Sequence, residues 1–165
     1  MAVSLRVVLA LLIATAPVSA AGLDGVGGLA VVVELEHPVE GLTADALRRR
    51  LAAAVVERAP AAALDDASPD RLRLTVAVRP HSSSALRGFW LPLSGTYAIG
   101  TVRLGLERVV HLPAQPPRTV PAIVWQRERV VATRWSAAGA AITRAVGALL
   151  DDLLPREAAS PPRRP

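Results

Sequence analysis

The chain has 165 residues, 52% of them hydrophobic, 20% charged and 3% aromatic, with no cysteine and a formal net charge of +5. That apolar content suits one folded domain and excludes a disordered chain, while the missing cysteine excludes a disulfide framework, a thiolate metal site and a cysteine nucleophile. All 19 basic residues are arginine, so lysine-dependent phosphate-loop and Schiff-base chemistry are excluded as well.

Residues 1–20 predict a secretory signal peptide. Arg6 supplies the charged start, Val7–Ala16 is an apolar stretch of ten residues, Pro17 breaks it, and Val18-Ser19-Ala20 puts small residues at positions −3 and −1 of a cleavage site after Ala20, with Ala21 as the alternative. The stretch is half of the ~20 residues that span a bilayer. A lipoprotein would carry cysteine after such a site; Ala21 stands there. The expectation is a mature protein of net charge +4, without a membrane span, in the periplasm or outside the cell, where disulfides are permitted but not required.

Ala21–Gly28 holds four glycines and predicts a flexible leader. Leu29–Glu36 then alternates with a period of two: Leu29, Val31, Val33 and Leu35 on one face, Ala30, Val32, Glu34 and Glu36 on the other, a strand ended by His37-Pro38. Thr43–Arg58 predicts a helix capped by Thr43, with Asp45 at its positive end and Arg58 at its negative end. Its stripe is Ala44, Leu47, Leu51 and Val55, and Asp45 is spaced to pair with Arg49.

Arg71–Arg79 predicts the clearest strand, with Leu72, Leu74, Val76 and Val78 inward and Arg71, Arg73, Thr75, Ala77 and Arg79 outward. Thr101–Val110 repeats the pattern, with Val102, Leu104, Leu106 and Val110 inward and Arg103 and Glu107 outward. Between these two strands Pro80–Thr96 forms a long connection rich in aromatic and aliphatic residues. Pro113–Pro117 predicts a turn, and Ile123–Arg134 a further strand or a hairpin bent near Arg127-Glu128-Arg129. Ser136 is placed to cap a helix over Ala137–Leu154, whose stripe is Ile142, Val146, Leu149, Leu150 and Leu153. Pro155–Pro165 predicts a disordered Pro/Arg tail.

The order strand, helix, three strands, helix over Leu29–Leu154 predicts a single α+β domain, a two-layer sandwich in which a mixed sheet carries both helices on one face and arginines on the other. The first strand–helix–strand is expected to cross over, and the next strands to form a meander. A signal peptide followed by this β-α-β-β-β-α order resembles small bacterial envelope modules such as the lipopolysaccharide-assembly lipoprotein and the amino-terminal domain of the Tol-system propeller protein. The resemblance implies an accessory role in the envelope; it rests on element order and carries over no functional residue.

Catalytic patterns are sparse. His37, His81 and His111 each sit at a strand end, and none has a second histidine at metal-ligand spacing. His81 beside Ser82, Ser83 and Ser84 offers a base next to a nucleophile, the basis for an alternative reading as a small serine hydrolase, but adjacent residues rarely have the geometry and there is no nucleophile elbow. Asp65-Asp66 and Asp151-Asp152 are neighbours that do not face one site. A purely structural, self-associating domain is the third reading.

Two binding features remain. Arg71, Arg73, Arg79 and Arg103, with Arg127, Arg129 and Arg134 beyond, predict an arginine face able to take carboxylates or phosphates, which Glu34, Glu36 and Glu107 on the same sheet are placed to neutralise. Arg87, Phe89, Trp90 and Leu91 gather in the Pro80–Thr96 connection the residue types of a binding hot spot. The expectation is a non-catalytic binding module with no cofactor, its partner an envelope protein or an anionic glycolipid. Nucleic acid is disfavoured, because few aromatics are available to stack on bases.

Overall fold

The computed structural model describes Leu23 and residues 25–82, 95–113 and 116–154. The expected signal peptide, the residues Arg87, Phe89, Trp90 and Leu91, and the carboxy-terminal tail all lie outside the described residues.

Among the described residues the elements run β1 (Gly28–Leu35), α1 (Ala44–Arg58), β2 (Ala63–Leu64), β3 (Arg71–Ser82), β4 (Thr96–Leu112), β5 (Arg118–Arg134) and α2 (Ala138–Leu153), with a 3-10 turn at Trp135–Ala137 before α2. The five strands form one sheet in the order β2-β1-β3-β4-β5. β1 is parallel to β2 and β3, whereas β3, β4 and β5 are antiparallel. The fold is α+β with a mixed sheet and two helices, as the alternation and helical stripes require.

Alternation along the strands decides which face is covered. Leu72, Leu74, Val76 and Val78 of β3 are buried, as are Val102, Leu104 and Leu106 of β4 and Leu29 and Val31 of β1. They join Leu47, Leu51, Ala54 and Val55 of α1 and Ile142, Val146, Leu149, Leu150 and Leu153 of α2 in one core. Ala54 takes the place that Ala44 was expected to hold; Ala44 is only half-buried at the helix start. Thr43 caps α1 by accepting a hydrogen bond from the Ala46 amide at 3.1 Å. Ser136 does not cap α2, because it lies inside the 3-10 turn and the cap position falls to Ala137, which has no side-chain acceptor.

The strands outrun their expected limits. β3 continues to Ser82 and β4 begins at Thr96, so the expected seventeen-residue connection is shorter. Pro80 is tolerated inside β3 because β1 pairs no further than Val76, which leaves β3 an edge strand there. β5 runs unbroken from Arg118 and does not bend near Arg127-Glu128-Arg129. Its irregularity is a bulge: Leu106 faces Trp125 while Glu107 faces Ile123, leaving Val124 as the extra residue.

Before the sheet, Leu23 and Val26 are buried in the core and Gly28 already belongs to β1, which corrects the expectation of a flexible leader at these positions. A polar corner fixes this end. The Ser68 hydroxyl donates to the Gly28 carbonyl at 2.8 Å, and the Asp70 carboxylate accepts from the Val109 amide at 3.0 Å and faces Arg108 at 3.5 Å. Asp70 thus takes up a β4 amide just beyond the point where β3 starts.

Gly100 in β4 is a site of close approach. A Cβ there would stand 1.9 Å from the Ala77 carbonyl oxygen, whereas one at Gly105 would meet its nearest backbone atom at 3.7 Å. Gly100→Ala is therefore expected to lower stability by about 1–3 kcal/mol, as overpacking does, and Gly105→Ala to stay within about 0.5 kcal/mol. Urea melts of the two variants decide it; equal effects would contradict the close approach.

Candidate functional site

Across the helix-free face, β3 supplies Arg71, Arg73 and Arg79, and β4 supplies Arg103. Register adds Arg134, which pairs with Tyr97 on that side. Arg127 and Arg129 do not belong to this face. An unbroken β5 puts them on the same side as Trp125 and the buried Val131, and Arg129 reaches Asp152 of α2 at 2.7 Å. Both are exposed, since a long side chain on this edge strand can keep its charge in water.

The remaining arginines are largely spoken for. Arg73 sits between Glu34 and Glu107, with Nε donating to Glu107 at 2.8 Å. Arg103 meets Glu128 at 2.7 Å, and Arg79 meets Glu36 at 3.4 Å. Hydrogen bonding to Glu107 raises the Arg73 guanidinium above its ordinary value, helped by the charges of Glu107 and Glu34 and opposed by partial desolvation. Arg71 and Arg134 are exposed and have no ion pair among the described residues. The face is an Arg–Glu lattice in which the carboxylates expected to neutralise the arginines do so.

A different place offers a concavity. A recess of about 380 Å³ opens beside β1, lined by Ala30, Val31, Val32 and Val33 of the strand, Ala44, Asp45 and Arg48 of α1, and Asp66. It exists because β2 is only two residues long. After Leu64 the chain folds into a turn in which the Asp65 carboxylate accepts the Ala67 amide and the Asp65 carbonyl accepts the Ser68 amide, so no strand among the described residues continues alongside β1 beyond Leu29. Arg48 closes one rim by pairing with Asp66 at 2.5 Å. That hydrogen bond, then the Asp66 charge, raises the Arg48 guanidinium, and the nearby Asp45 charge adds to it. The expected partner of Asp45, Arg49, makes no ion pair among the described residues; of the Arg48-Arg49-Arg50 run, it is Arg48 that pairs.

The titratable groups weighed for catalysis stand apart. His81 pairs in register with Tyr97 near one end of β4, and His111 meets Thr119 near the other, at 3.2 Å. His37 follows β1 with its Nε2 buried and unpartnered among the described residues. Ser83 and Ser84 lie outside the described residues. Asp151 turns to Arg58 and Asp152 to Arg129, so the pair serves two different bridges. Among the described residues no group of three or more His, Asp and Glu side chains is placed to hold a metal ion, and no helix is long and apolar enough to cross a membrane.

Compared with known proteins, the chain matches no family model and no curated protein. The recess therefore has to be read from its own residues. Sequence reasoning missed it, since Ala63–Leu64 is too short to show periodicity and Asp66 gains its role only from its distance to Arg48.

The lattice makes a measurable difference between two neighbouring arginines. Arg73→Ala is expected to cost about 1 kcal/mol at low ionic strength and less in high salt, while Arg71→Ala stays within about 0.5 kcal/mol. Denaturant melts at two salt concentrations test this, and an equal, salt-independent loss at both positions would contradict the pairing.

Proposed function

We propose that the chain is an exported, non-catalytic binding module of the bacterial cell envelope, and that its partner is an envelope protein. The observation that carries the reading is the recess beside β1, a concave site in which aliphatic residues of β1 and α1 meet three charged side chains, Asp45, Arg48 and Asp66. Export is supported by the charged start, the short apolar stretch and the small residues ending at Ala20. The resemblance in element order to small envelope modules points the same way.

Between the two candidate partner classes, the charge pattern favours protein over anionic glycolipid. A phosphate-bearing headgroup needs several converging arginines with donors to spare. Arg73, Arg79 and Arg103 spend theirs on Glu34, Glu107, Glu36 and Glu128. Arg71 and Arg134, which lack an ion pair among the described residues, stand at opposite ends of the face, level with Glu107 and Tyr97 of β4. Arg87, Phe89, Trp90 and Leu91 remain a second contact region on the strength of their residue types.

Two measurements test the proposal. Mass spectrometry of protein from its native host is expected to find a mature amino terminus at Ala21; an intact Met1 in the cytoplasm overturns export. Trp90→Ala is expected to leave the melting temperature nearly unchanged and to weaken capture of an envelope protein by about 2 kcal/mol. A stable variant with undiminished capture removes Trp90 from the binding surface.

A further inference from the structure

We infer that the open edge of β1 accepts an extended segment of a partner protein as an added strand, with aliphatic side chains beside Val31 and Val33 and cationic side chains beside Glu34 and Glu36. The inference deepens the binding-module reading and rests on it. Its first support is the direction of the backbone. Ala30 donates to the Asp70 carbonyl at 2.9 Å and Glu36 to the Val76 carbonyl at 3.1 Å. The even-numbered residues of β1 thus bond β3, and Val31, Val33 and Leu35 turn their N–H and C=O groups to the other side. There β2 ends at Leu64, opposite Leu29, and Asp65 donates to the Leu29 carbonyl. Beyond that bond the recess begins.

The second support is that, among the described residues, this edge lacks the guards that the β5 edge and the end of β3 carry. Exposed strand edges are ordinarily blunted by proline, bulges or charge. β5 has Pro121, the bulge at Val124, and arginines at 118, 127, 129 and 134. The stretch of β3 beyond Val76 has Pro80. From Ala30 to Leu35, β1 has neither proline nor bulge, and its one charged residue, Glu34, is held by Arg73 on the helix-free face. Such an edge pairs readily with an extended chain, whose main-chain hydrogen bonds give affinity and whose alternate side chains give specificity.

The third support fixes the chemistry of the occupant. On the helix-free face the sign of charge alternates from strand to strand: Glu34 on β1, Arg73 on β3, Glu107 on β4, and likewise Arg103 on β4 against Glu128 on β5. Opposite charges across neighbouring strands stabilise and like charges destabilise. A strand added outside β1 meets Glu34 and Glu36 and continues the pattern only with cations. On the helix side it meets Val31 and Val33 at the mouth of the recess, where Ala44 of α1 adds to the aliphatic wall and the charge of Arg48 is already matched by Asp66.

The probe is a labelled, end-blocked hexapeptide of alternating arginine and valine, titrated into the full mature chain at physiological ionic strength and followed by fluorescence anisotropy. Saturable binding is expected, with loss of binding when glutamate replaces arginine. Two further versions, one methylated at the valine amides and one at the arginine amides, separate backbone pairing from charge: one of them is expected to bind about tenfold more weakly or worse. Val33→Pro removes a donor that β3 does not use, so the fold is expected to form, with a lower melting temperature from the lost packing of Val33 against the core, while the peptide binds at least about tenfold more weakly. If that variant does not fold, the methylated peptides on the unaltered protein decide. Equal binding of both methylated versions overturns strand addition. Absent peptide binding together with a dimer that Val33→Pro dissolves overturns the peptide in favour of a second copy of the chain. Absent peptide binding with intact Trp90-dependent envelope capture sinks this inference and leaves the binding-module reading standing.

Discussion

Leu72, Leu74, Val76 and Val78, at 1% exposure or less, hold the molecule from the middle of its sheet. β3 has β1 parallel on one side and β4 antiparallel on the other, so this single row touches the elements that bring both helices. Each buried aliphatic side chain contributes roughly 1.5–3 kcal/mol from removal of apolar surface from water. Because alternation has a period of two, committing that row to the helices commits Arg71, Arg73 and Arg79 to the opposite face. The Arg–Glu lattice is the consequence: arginines fixed at alternate positions of a central strand find carboxylates on the strands beside them.

The layers are unequal in length, and this shapes the ends of the molecule. β4 and β5 have 17 residues each, roughly 56 Å if straight, whereas α1 and α2 have 15 and 16, roughly 23 Å. The helices cover the middle of the sheet, and the β4–β5 ribbon runs past both β3 and the helix layer. Leu112 near that end is exposed for this reason, whereas Ile123 is exposed because it pairs with Glu107 on the helix-free face. The carboxy-terminal ends of the helices are drawn together by Arg58 of α1, 14% exposed at its side chain, which bonds Asp151 at 2.6 Å and the Leu154 carbonyl at 3.3 Å. Positive charge at a helix carboxy terminus is favourable, so Arg58 serves α1 and closes α2 at once.

The same inequality at the opposite edge leaves the recess. A β2 of two residues covers only Gly28 and Leu29 of an eight-residue strand, and the turn at Asp65 leads the chain away. What remains beside β1 is an edge whose backbone groups from Val31 onward face no strand among the described residues, a wall of valines, and a rim where Arg48 and Asp66 pair. Packing, pairing and charge thus meet at one place, whereas the arginine face spends its charge on itself.

Much of the fold could be read from residue order. The inward rows of β3 and β4, the stripe of α2, the Thr43 cap and the prolines between Leu112 and Arg118 act through local periodicity and local sterics, which a linear sequence displays. What the sequence did not display needed a neighbour. Arg127 and Arg129 look like further members of an arginine face until β5 proves unbroken and a bulge at Val124 sets their side. Ser136 looks like a cap until the 3-10 turn displaces it. Leu23 and Val26, among glycines, look mobile until the core closes over them. The recess is the extreme case, for it is made of a strand that stops early, a turn, and a helix start brought within reach of each other. Periodicity along one chain is a one-dimensional signal; which edge stays open depends on pairing between segments distant in sequence, and only the folded chain decides that.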